Sequence, residues 1–514
     1  MRILLVTGRL AEPLVRKYGK GCDVFVTPVT VAAFLTPELI VYYLKKSKIN
    51  VKEYDLILIP GLVKGSAEVI EREFGVPAYK GPKNAVDIPQ VLKAIKQGFK
   101  LSKIVPADEL FSQDALKKVE DIRNKAKNKR YIEKALKRPG NILIGTLPVG
   151  LDFPTRIVAE IVDAPSLTIE EIMRKAKYYL REGADIIDIG MESGKTNVEF
   201  LESVLPEIKE KINAPLSLDT LNPKEIEAGE KEVDLILSVD FGTVEEILPS
   251  KPVVLIPTNM KEGKFIEDPI GRAKALEKLK EKALNLGYKG LILDPILEHY
   301  PNFSRSLVAF YLYRMRNPQD ILLAGVGNIT EMMDADSVGL NALLASIAGE
   351  LKISLLLTTE VSPKATGSVR ELKRGIDMVL LGGVKDVGIN LLILKEKRRK
   401  EQKIEFAKTI IRAKKKPVKL EEVYFKIYVV GTELAVTAYK GTNPVMTIIG
   451  KEPNEIIDTI LEHFSISPRH AFYLGRELEK AYTGLKIRRS YVQEEELFGD
   501  FYFEKRFITY YRRI

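Results

Sequence analysis

The chain has 514 residues, with 80 Lys and Arg against 70 Asp and Glu, which gives a formal net charge of +10. This length exceeds one hydrophobic core and predicts several domains. Its 45% hydrophobic and 29% charged residues are typical of a soluble globular protein, and no apolar run reaches the roughly 20 residues that span a bilayer. One cysteine, Cys22, excludes an internal disulfide, and three histidines argue against a histidine metal centre. We therefore expect a cytoplasmic protein without a resident metal and without a membrane partner.

The N-terminal segment alternates apolar strands with stretches of helical spacing. The runs ILLVTG (3–8), VFVTP (24–28) and DLILIPG (55–61) end in Gly or Pro, as buried parallel strands do where they enter loops. Apolar residues recur at helical spacing in TPELIVYYLKKSK (36–48). We predict a doubly wound α/β domain over residues 1–138, with a lysine-rich helical stretch at its end.

The middle of the chain repeats one theme eight times, in which a short apolar strand is followed in most cases by an amphipathic helix. The strands are predicted at 141–146, 184–190, 215–220, 235–240, 252–258, 290–295, 321–327 and 353–359. Eight such units over about 250 residues match the size of a closed (β/α)8 barrel. The predicted fold class is therefore α/β, with a (β/α)8 TIM barrel over residues 139–395.

The C-terminal part begins with a basic run, which we assign to a helical linker over residues 396–417. Alternating β signals (423–439) and a later helical stretch (471–485) predict a small α+β domain over residues 418–514. The basic run lacks interleaved aromatic residues, so we expect no nucleic-acid partner. The aromatic and arginine-rich tail 501–514 is short and could equally be a packed strand.

Polar residues cluster at the predicted carboxyl ends of the barrel strands, where sites form in this architecture. They are Asp188, Glu192, Asp219, Asp240, Asp294 and Asn328. A single acidic strand end is usually a helix cap, but carboxylates that face one another raise each other's pKa unless a cation or several donors are bound. Both Mg²⁺ and a ring with an amidine edge, such as a pterin, satisfy this requirement. The residues alone leave the choice open.

Four motifs resemble those of dihydropteroate synthases in order and spacing. GADIIDIGMES (183–193) is similar to the signature Gly-Ala-Asp-Ile-Ile-Asp-Ile-Gly-Gly-Glu-Ser of that family. PLSLDT (215–220) resembles its Asp-Thr strand, SVD (238–240) stands where it has Asn-Asp, and GLILDP (290–295) resembles its Leu-Asp-Pro motif. The resemblance covers about half of the chain and implies a reduced pterin of the tetrahydromethanopterin or folate type as substrate.

The resemblance also implies roles for individual residues. Asp219, Asp240 and Asp294 would contact the pterin ring, with Asp294 at the amidine edge, and Glu192 joins the predicted binding set. Lys195 is the candidate catalytic cation, because it could meet a phosphate as a point charge. Mg²⁺ would accompany a substrate that carries a diphosphate.

The chain departs from the synthase pattern in the loops. The synthase's first loop reads Asn-Val-Thr-Pro-Asp-Ser-Phe, and we align it with GTLPVGLDF (145–153) here. Gly194 and Lys195 replace a Thr-Arg pair, and GVGNIT (325–330) replaces a Ser-Arg-Lys motif. The stretch that contains GVGNIT instead resembles pterin-dependent methyltransferases, in which Asn328 would lie near the pterin N5 as a catalytic and binding residue.

The domain order is similar to that of an archaeal group of dihydropteroate synthase-like proteins linked to methanopterin metabolism. The leading hypothesis is a transferase that condenses a dihydropterin diphosphate with an arylamine. One alternative is methyl transfer from a methyl-tetrahydropterin to a corrinoid carried by a partner protein, and another is a non-catalytic pterin-binding protein. The Lys- and Glu-rich composition indicates a thermophilic source. Homodimer formation is left open.

Overall fold

A computed structural model describes residues 1–382, 391, 421–487, 489–495 and 497. The predicted linker 396–417 and the tail 501–514 lie outside the described residues. Two compact units are present, one with residues 1–359 and 368–382, the other with residues 360–367 and 421–497. In the described part of the chain, no helix combines the length and the hydropathy needed to cross a bilayer.

The first unit begins with a parallel sheet of four strands in the order β2-β1-β3-β4. The strands are β1 (Ile3–Thr7), β2 (Asp23–Val26), β3 (Leu56–Ile59) and β4 (Ala78–Lys80). The helices are α1 (Glu12–Tyr18), α2 (Pro37–Lys46), α3 (Glu68–Phe74) and α4 (Ile88–Lys96). Every residue of β1 and β3 is buried, because an apolar cluster packs on each face of the sheet. The predicted doubly wound sheet is confirmed.

Two helices connect this sheet to the next part of the chain, α5 (Ala107–Lys127) and α6 (Lys129–Leu136). The two helices are separated at Asn128, where the backbone is extended. The Asn128 side chain caps α6 by accepting a hydrogen bond from the Tyr131 N–H. The guanidinium of Arg123 in α5 donates to Asp377 Oδ1 at 2.6 Å, and both side chains are largely buried. This ion pair attaches α5 to the last described helix of the first unit.

Eight parallel strands close into a barrel, as predicted, in the order β10-β11-β14-β15-β16-β7-β8-β9. They are β7 (Arg156–Ile161), β8 (Ile186–Gly190), β9 (Leu216–Asp219), β10 (Leu235–Val239), β11 (Val253–Leu255), β14 (Leu291–Leu293), β15 (Ile321–Gly325) and β16 (Leu355–Thr358). The helices are α7 (Ile169–Glu182), α8 (Val198–Ser203), α9 (Leu205–Lys211), α10 (Pro223–Gly229), α11 (Pro269–Asn285), α12 (Phe303–Arg316), α13 (Gly327–Thr330), α14 (Ser337–Glu350) and α15 (Ser368–Leu380). A short hairpin, β12 (Thr258–Asn259) and β13 (Lys264–Phe265), follows β11.

The prediction of a barrel strand at 141–146 is wrong. That segment forms a separate hairpin, β5 (Asn141–Ile144) with β6 (Leu147–Gly150), and the first barrel strand is β7 instead. The hairpin's Ile144 and Val149 belong to the apolar cluster inside the barrel. Arg156 at the start of β7 donates to the Pro148 carbonyl, which places the hairpin at the amino-terminal end of the barrel.

The alignment of 145–153 with a substrate loop is wrong for the same reason, since active-site loops lie at the opposite end of such barrels. The segment that follows the first barrel strand is 162–168, VDAPSLT. The sequence hid β7, RIVAEI, because a charged residue lies at its start and another near its end. The apolar run NILI, by contrast, buries Ile144 at the amino-terminal end of the barrel without forming a barrel strand.

The second unit contains an antiparallel sheet of β17 (Val423–Val430), β18 (Glu433–Lys440) and β19 (Asn443–Gly450). Helices α16 (Pro453–His463) and α17 (Pro468–Lys486) cover one face of this sheet. Residues such as Phe425, Val436, Ile460 and Leu478 form their shared core. The predicted α+β fold of the C-terminal part is confirmed.

The hairpin's role in closing the barrel can be tested at two neighbouring aliphatic residues, Ile144 and Leu143, whose side chains differ in burial. Ile144 is fully buried, whereas Leu143 is 43% exposed. We expect Ile144→Ala to lower the free energy of unfolding by about 2–4 kcal/mol through the cavity that it leaves. Leu143→Ala should lower it by less than about 1 kcal/mol. Equal losses in a urea unfolding experiment would show that the hairpin does not pack as described.

Candidate functional site

Carboxyl groups line the inside of the barrel at the carboxyl ends of its strands. Side chains two residues apart on a strand point to the same side. Val158 and Ile186 lie in the apolar cluster inside the barrel, so Glu160 and Asp188, two residues further on, also face inward. Asp219 ends β9 beside them. The polar mouth therefore lies directly above the apolar interior.

Glu160, Asp188 and Asp219 form a triad in which one oxygen atom of each lies within 4.8 Å of the others. Asp188 is completely buried. The Ser217 hydroxyl donates to its Oδ1, while its Oδ2 has no hydrogen-bond partner among the described residues. Gly190 makes room for the triad, because a Cβ there would lie 2.5 Å from Glu160 Oε1.

Burial and mutual repulsion raise the pKa values of these groups. Burial, followed by the Asp219 carboxylate, raises the pKa of Glu160 to about 8. Burial raises the pKa of Asp219 to about 7. For Asp188, burial and then its two neighbours hold the pKa well above its usual range. Near neutral pH the triad therefore retains protons, and a cation or a set of N–H donors would stabilise the ionised forms.

Asp294 is a fourth carboxyl group of the mouth and directly follows β14. Burial raises its pKa to about 7, although the Ile296 N–H and then the charge of Arg272 act in the opposite direction. Its Oδ1 accepts a hydrogen bond from the Ile296 N–H at 2.7 Å. Its Oδ2 has no hydrogen-bond partner in the described part of the chain, so one oxygen remains available to a ligand.

A buried arginine fixes the loop beside Asp294. Arg272 is 1% exposed. It donates to the carbonyl of Ile296 at 3.0 Å and pairs with Glu298 at 2.5 Å. The backbone of Ile296 has a φ of +65°, a strained value for a β-branched residue, and these contacts hold it there.

Asp240 differs from the prediction that it contacts a ring. Its Oδ1 accepts hydrogen bonds from the Gly242 N–H and the Thr243 hydroxyl, and its Oδ2 accepts from the Thr258 hydroxyl and the Met260 N–H. Four bonds fill the lone pairs of a carboxylate. Asp240 therefore holds the loops after β10 and β11 together, and we remove it from the set of proposed ligand contacts.

The remaining predicted residues lie in loops beyond the strands. Asn328, exposed in α13, donates to the Leu297 carbonyl at 2.8 Å, which leaves its amide oxygen to accept. Lys195 is 65% exposed and pairs with Glu192 at 2.8 Å. The triad brings in Glu160, which the sequence analysis missed because β7 was missed, and Asp188, which was noted only as a strand-end residue.

Three family models match separate parts of the chain. Residues 163–247 match the Pterin binding enzyme family. This range contains β8 and β9, whose ends form part of the mouth. Residues 421–494 match PterinBD-DUF4346, and residues 1–83 match a family of unknown function, DUF6513.

A curated relative matches nearly the whole chain. The uncharacterized protein MJ0107 of Methanocaldococcus jannaschii is 38% identical over 529 aligned residues, which cover 97% of this chain and 99% of that protein. The chain belongs to the same family as this archaeal protein. With the match over 163–247, the predicted resemblance to an archaeal family with a pterin-binding domain is confirmed.

Solved structures of dihydropteroate synthases are also similar to part of this chain. The Yersinia pestis enzyme with a pterine-sulfa conjugate is 18% identical, with a TM-score of 0.38, and covers 47% of this chain and 98% of its own. The Xanthomonas albilineans enzyme with 7,8-dihydropteroate is 19% identical, with a TM-score of 0.36, and covers 46% of this chain and 96% of its own.

The raised pKa of Asp219 predicts a pH-dependent effect of Asp219→Asn. The folded chain holds this proton up to about pH 7, whereas the unfolded chain releases it near pH 4. The free energy of unfolding therefore falls as the pH rises between these values. We expect the variant to be more stable than the wild type by about 1–3 kcal/mol at about pH 8, and nearly equal at about pH 4.5.

Melting temperatures across this pH range measure the difference. The exposed Asp458 of α16 provides the matched control, since Asp458→Asn makes the same chemical change outside the barrel. A gain from Asp219→Asn that did not depend on pH would contradict the assignment of a carboxyl group with a raised pKa in the folded chain.

Proposed function

We propose that this protein is a transferase that binds a reduced pterin in the carboxyl-terminal mouth of its barrel. One observation carries the proposal: the half-buried Asp219 and the buried Asp294 are carboxyl groups with raised pKa values that form no ion pair within the described residues. The Pterin binding enzyme match, which spans β8, β9 and β10, supports it.

The amidine edge of a pterin presents adjacent N–H donors, which a carboxylate accepts as a pair of short hydrogen bonds. Asp294, with its free Oδ2, is the proposed acceptor for this edge, and Asp219 is the second contact. Binding the ring would favour the ionised carboxylates, so each contact formed would release a proton near neutral pH. The observed burial then contributes to selectivity, because a ligand without donors would leave these groups unpaired.

The proposed reaction is condensation of a dihydropterin diphosphate with an arylamine. The amine nitrogen forms a bond to the exocyclic methylene carbon, the carbon–oxygen bond to diphosphate breaks, and the amine proton passes to a base. Lys195 is the proposed contact for the diphosphate, since its ammonium lies in the exposed loop after β8. The mouth would hold the ring while positive charge develops at the methylene carbon.

Mg²⁺ is compatible with the triad of Glu160, Asp188 and Asp219. Their oxygens lie within 4.8 Å of one another, a separation that a divalent cation with ligand distances of about 2.0–2.6 Å can bridge. The unpartnered Asp188 Oδ2 supports the fit. When bound, Mg²⁺ would supply positive charge that offsets the carboxylates and a diphosphate.

Methyl transfer from a methyl-tetrahydropterin is the second candidate. The fixed position of the Asn328 amide favours it. Its side-chain nitrogen is committed to the Leu297 carbonyl, so the amide is held at the end of β15. A held amide could accept a hydrogen bond from a protonated N5, which makes the pterin a better leaving group. A corrinoid would then come from a partner protein. Pterin binding without turnover remains the third alternative.

Asp294→Asn tests the binding mode. We expect the variant to bind a reduced pterin more weakly by about 1.5–3 kcal/mol, because a charge-assisted pair of hydrogen bonds is lost. Isothermal titration with dihydropterin or tetrahydropterin measures the affinity, and Asp458→Asn should leave it unchanged. A variant that unfolds while Asp294→Glu binds normally would assign Asp294 to loop structure instead.

Asn328→Ala separates the two reactions. For a methyltransferase, we expect methyl transfer to slow by about 10- to 1000-fold while binding of an unmethylated pterin changes less, since the interaction strengthens in the transition state. For a synthase, the substitution should act mainly on binding. The wild type is assayed with pterin diphosphate, arylamine and Mg²⁺ for diphosphate release, and with methyl-tetrahydropterin and cob(I)alamin for methylcobalamin. Tight binding with neither product would contradict both transferases.

A further inference from the structure

The N-terminal sheet has a cavity of its own, with a volume of about 300 Å³. Its floor includes Leu5 of β1 and Leu58 of β3, and its walls include Leu14, Ala33 and Ala85. None of these residues belongs to the barrel or to its mouth.

The cavity lies where the chain connections of the sheet diverge. In the strand order β2-β1-β3-β4, β1 connects to its neighbour on one side, and β3 connects to its neighbour on the other. The loops that follow these two adjacent strands therefore separate, and a crevice opens at their carboxyl ends. Open parallel sheets bind small molecules at this topological switch point.

Backbone packing forms the cavity without a ligand. Gly61 after β3 donates to the Pro82 carbonyl at 3.1 Å, and Gly81 after β4 donates to the Ile59 carbonyl at 2.8 Å. A Cβ on Gly61 would lie 2.7 Å from the Gly81 carbonyl oxygen, so the two loops touch directly. The buried ammonium of Lys80 donates to the Val63 carbonyl and fixes the β3 loop from below. Preformed walls of this kind are typical of ligand sites.

The chemistry of the walls selects the class of ligand. Of the residues that line the cavity, only Lys83 is ionisable, and its ammonium pairs with Glu109 at 2.5 Å. The Thr7 hydroxyl provides the polar contact, since its one hydrogen bond, to the Gly8 carbonyl, is long at 3.4 Å. The other lining side chains are aliphatic, so an ionised group buried there would lose its hydration without compensation.

The volume sets the size of that ligand. A dry apolar cavity of roughly 150 Å³ holds one benzene ring, and this cavity is twice as large. Leu10 and Leu62 line its edge and are 61% and 51% exposed. They extend the apolar surface outward, where substituents of a bound ring would lie.

We propose that the N-terminal domain carries a second small-molecule site, which takes an uncharged ligand built on two fused rings. The Thr7 hydroxyl hydrogen-bonds to the ligand's single polar edge, and the aliphatic walls contact the ring faces. This site is independent of the pterin-binding mouth, and it gives the domain a role in ligand recognition.

Indole, a neutral two-ring molecule with one N–H, is the probe. The full-length chain is labelled with ¹³C in its Leu and Val methyl groups and titrated at roughly millimolar concentration. We expect saturable shifts in the methyl signals of Leu5, Leu14 and Leu58. Indole-5-carboxylate, which adds a negative charge to the same rings, should bind at least about tenfold more weakly.

Two variants fill the cavity, Ala33→Phe and Ala85→Phe, so the test survives if one of them fails to fold. Each should weaken indole binding by at least about tenfold. Ala94→Phe, on α4 outside the lining, is the matched control and should bind as the wild type does. Shifts confined to other methyl groups, no saturable binding, equal affinity for the carboxylate, or binding that survives in both filled variants would overturn the proposal. Asp294→Asn should leave indole binding unchanged, which separates this outcome from the fate of the pterin proposal.

Discussion

Four carboxyl groups share the mouth of the barrel without an ion-pair partner among the described residues, and this constraint determines much of the surrounding structure. Arg272, which lowers the pKa of Asp294, is committed to Glu298 and to loop carbonyls. The triad has the Ser217 hydroxyl as its one hydrogen-bond donor among the described groups. A mouth built this way is held in the folded state by the rest of the barrel, because burial of these groups opposes folding once they ionise.

The scaffold offsets this cost in two ways. The strand interiors below the mouth are packed with branched aliphatic side chains, and a second apolar cluster packs the helices around the barrel. Asp240 illustrates the alternative treatment of a buried carboxylate, since four donors satisfy it and tie two loops together. Adjacent strand ends thus carry carboxylates with opposite roles, one structural and fully bonded, the others available for a ligand.

Much of the fold could be predicted from the sequence, because parallel strands buried on both faces leave long apolar runs such as ILLVT and LILI. The mouth was harder to predict. Asp219 and Asp294 follow recognisable strands, but Glu160 lies in RIVAEI, whose apolar run is interrupted by charged residues at its start and near its end. Hydrogen bonding was also invisible: no local pattern around Asp240 indicates that Thr258 and Met260, about twenty residues away, satisfy its carboxylate.

The β5–β6 hairpin limits the side of the barrel from which ligands can reach the mouth. Ile144 and Val149 close the amino-terminal end of the packed barrel interior, so the mouth is open only on the carboxyl-terminal side. Whatever sits against the triad must arrive before anything that binds nearer the surface, and must leave after it. If the proposed condensation takes place in this mouth, the ring that contacts the triad would have to bind before the second substrate.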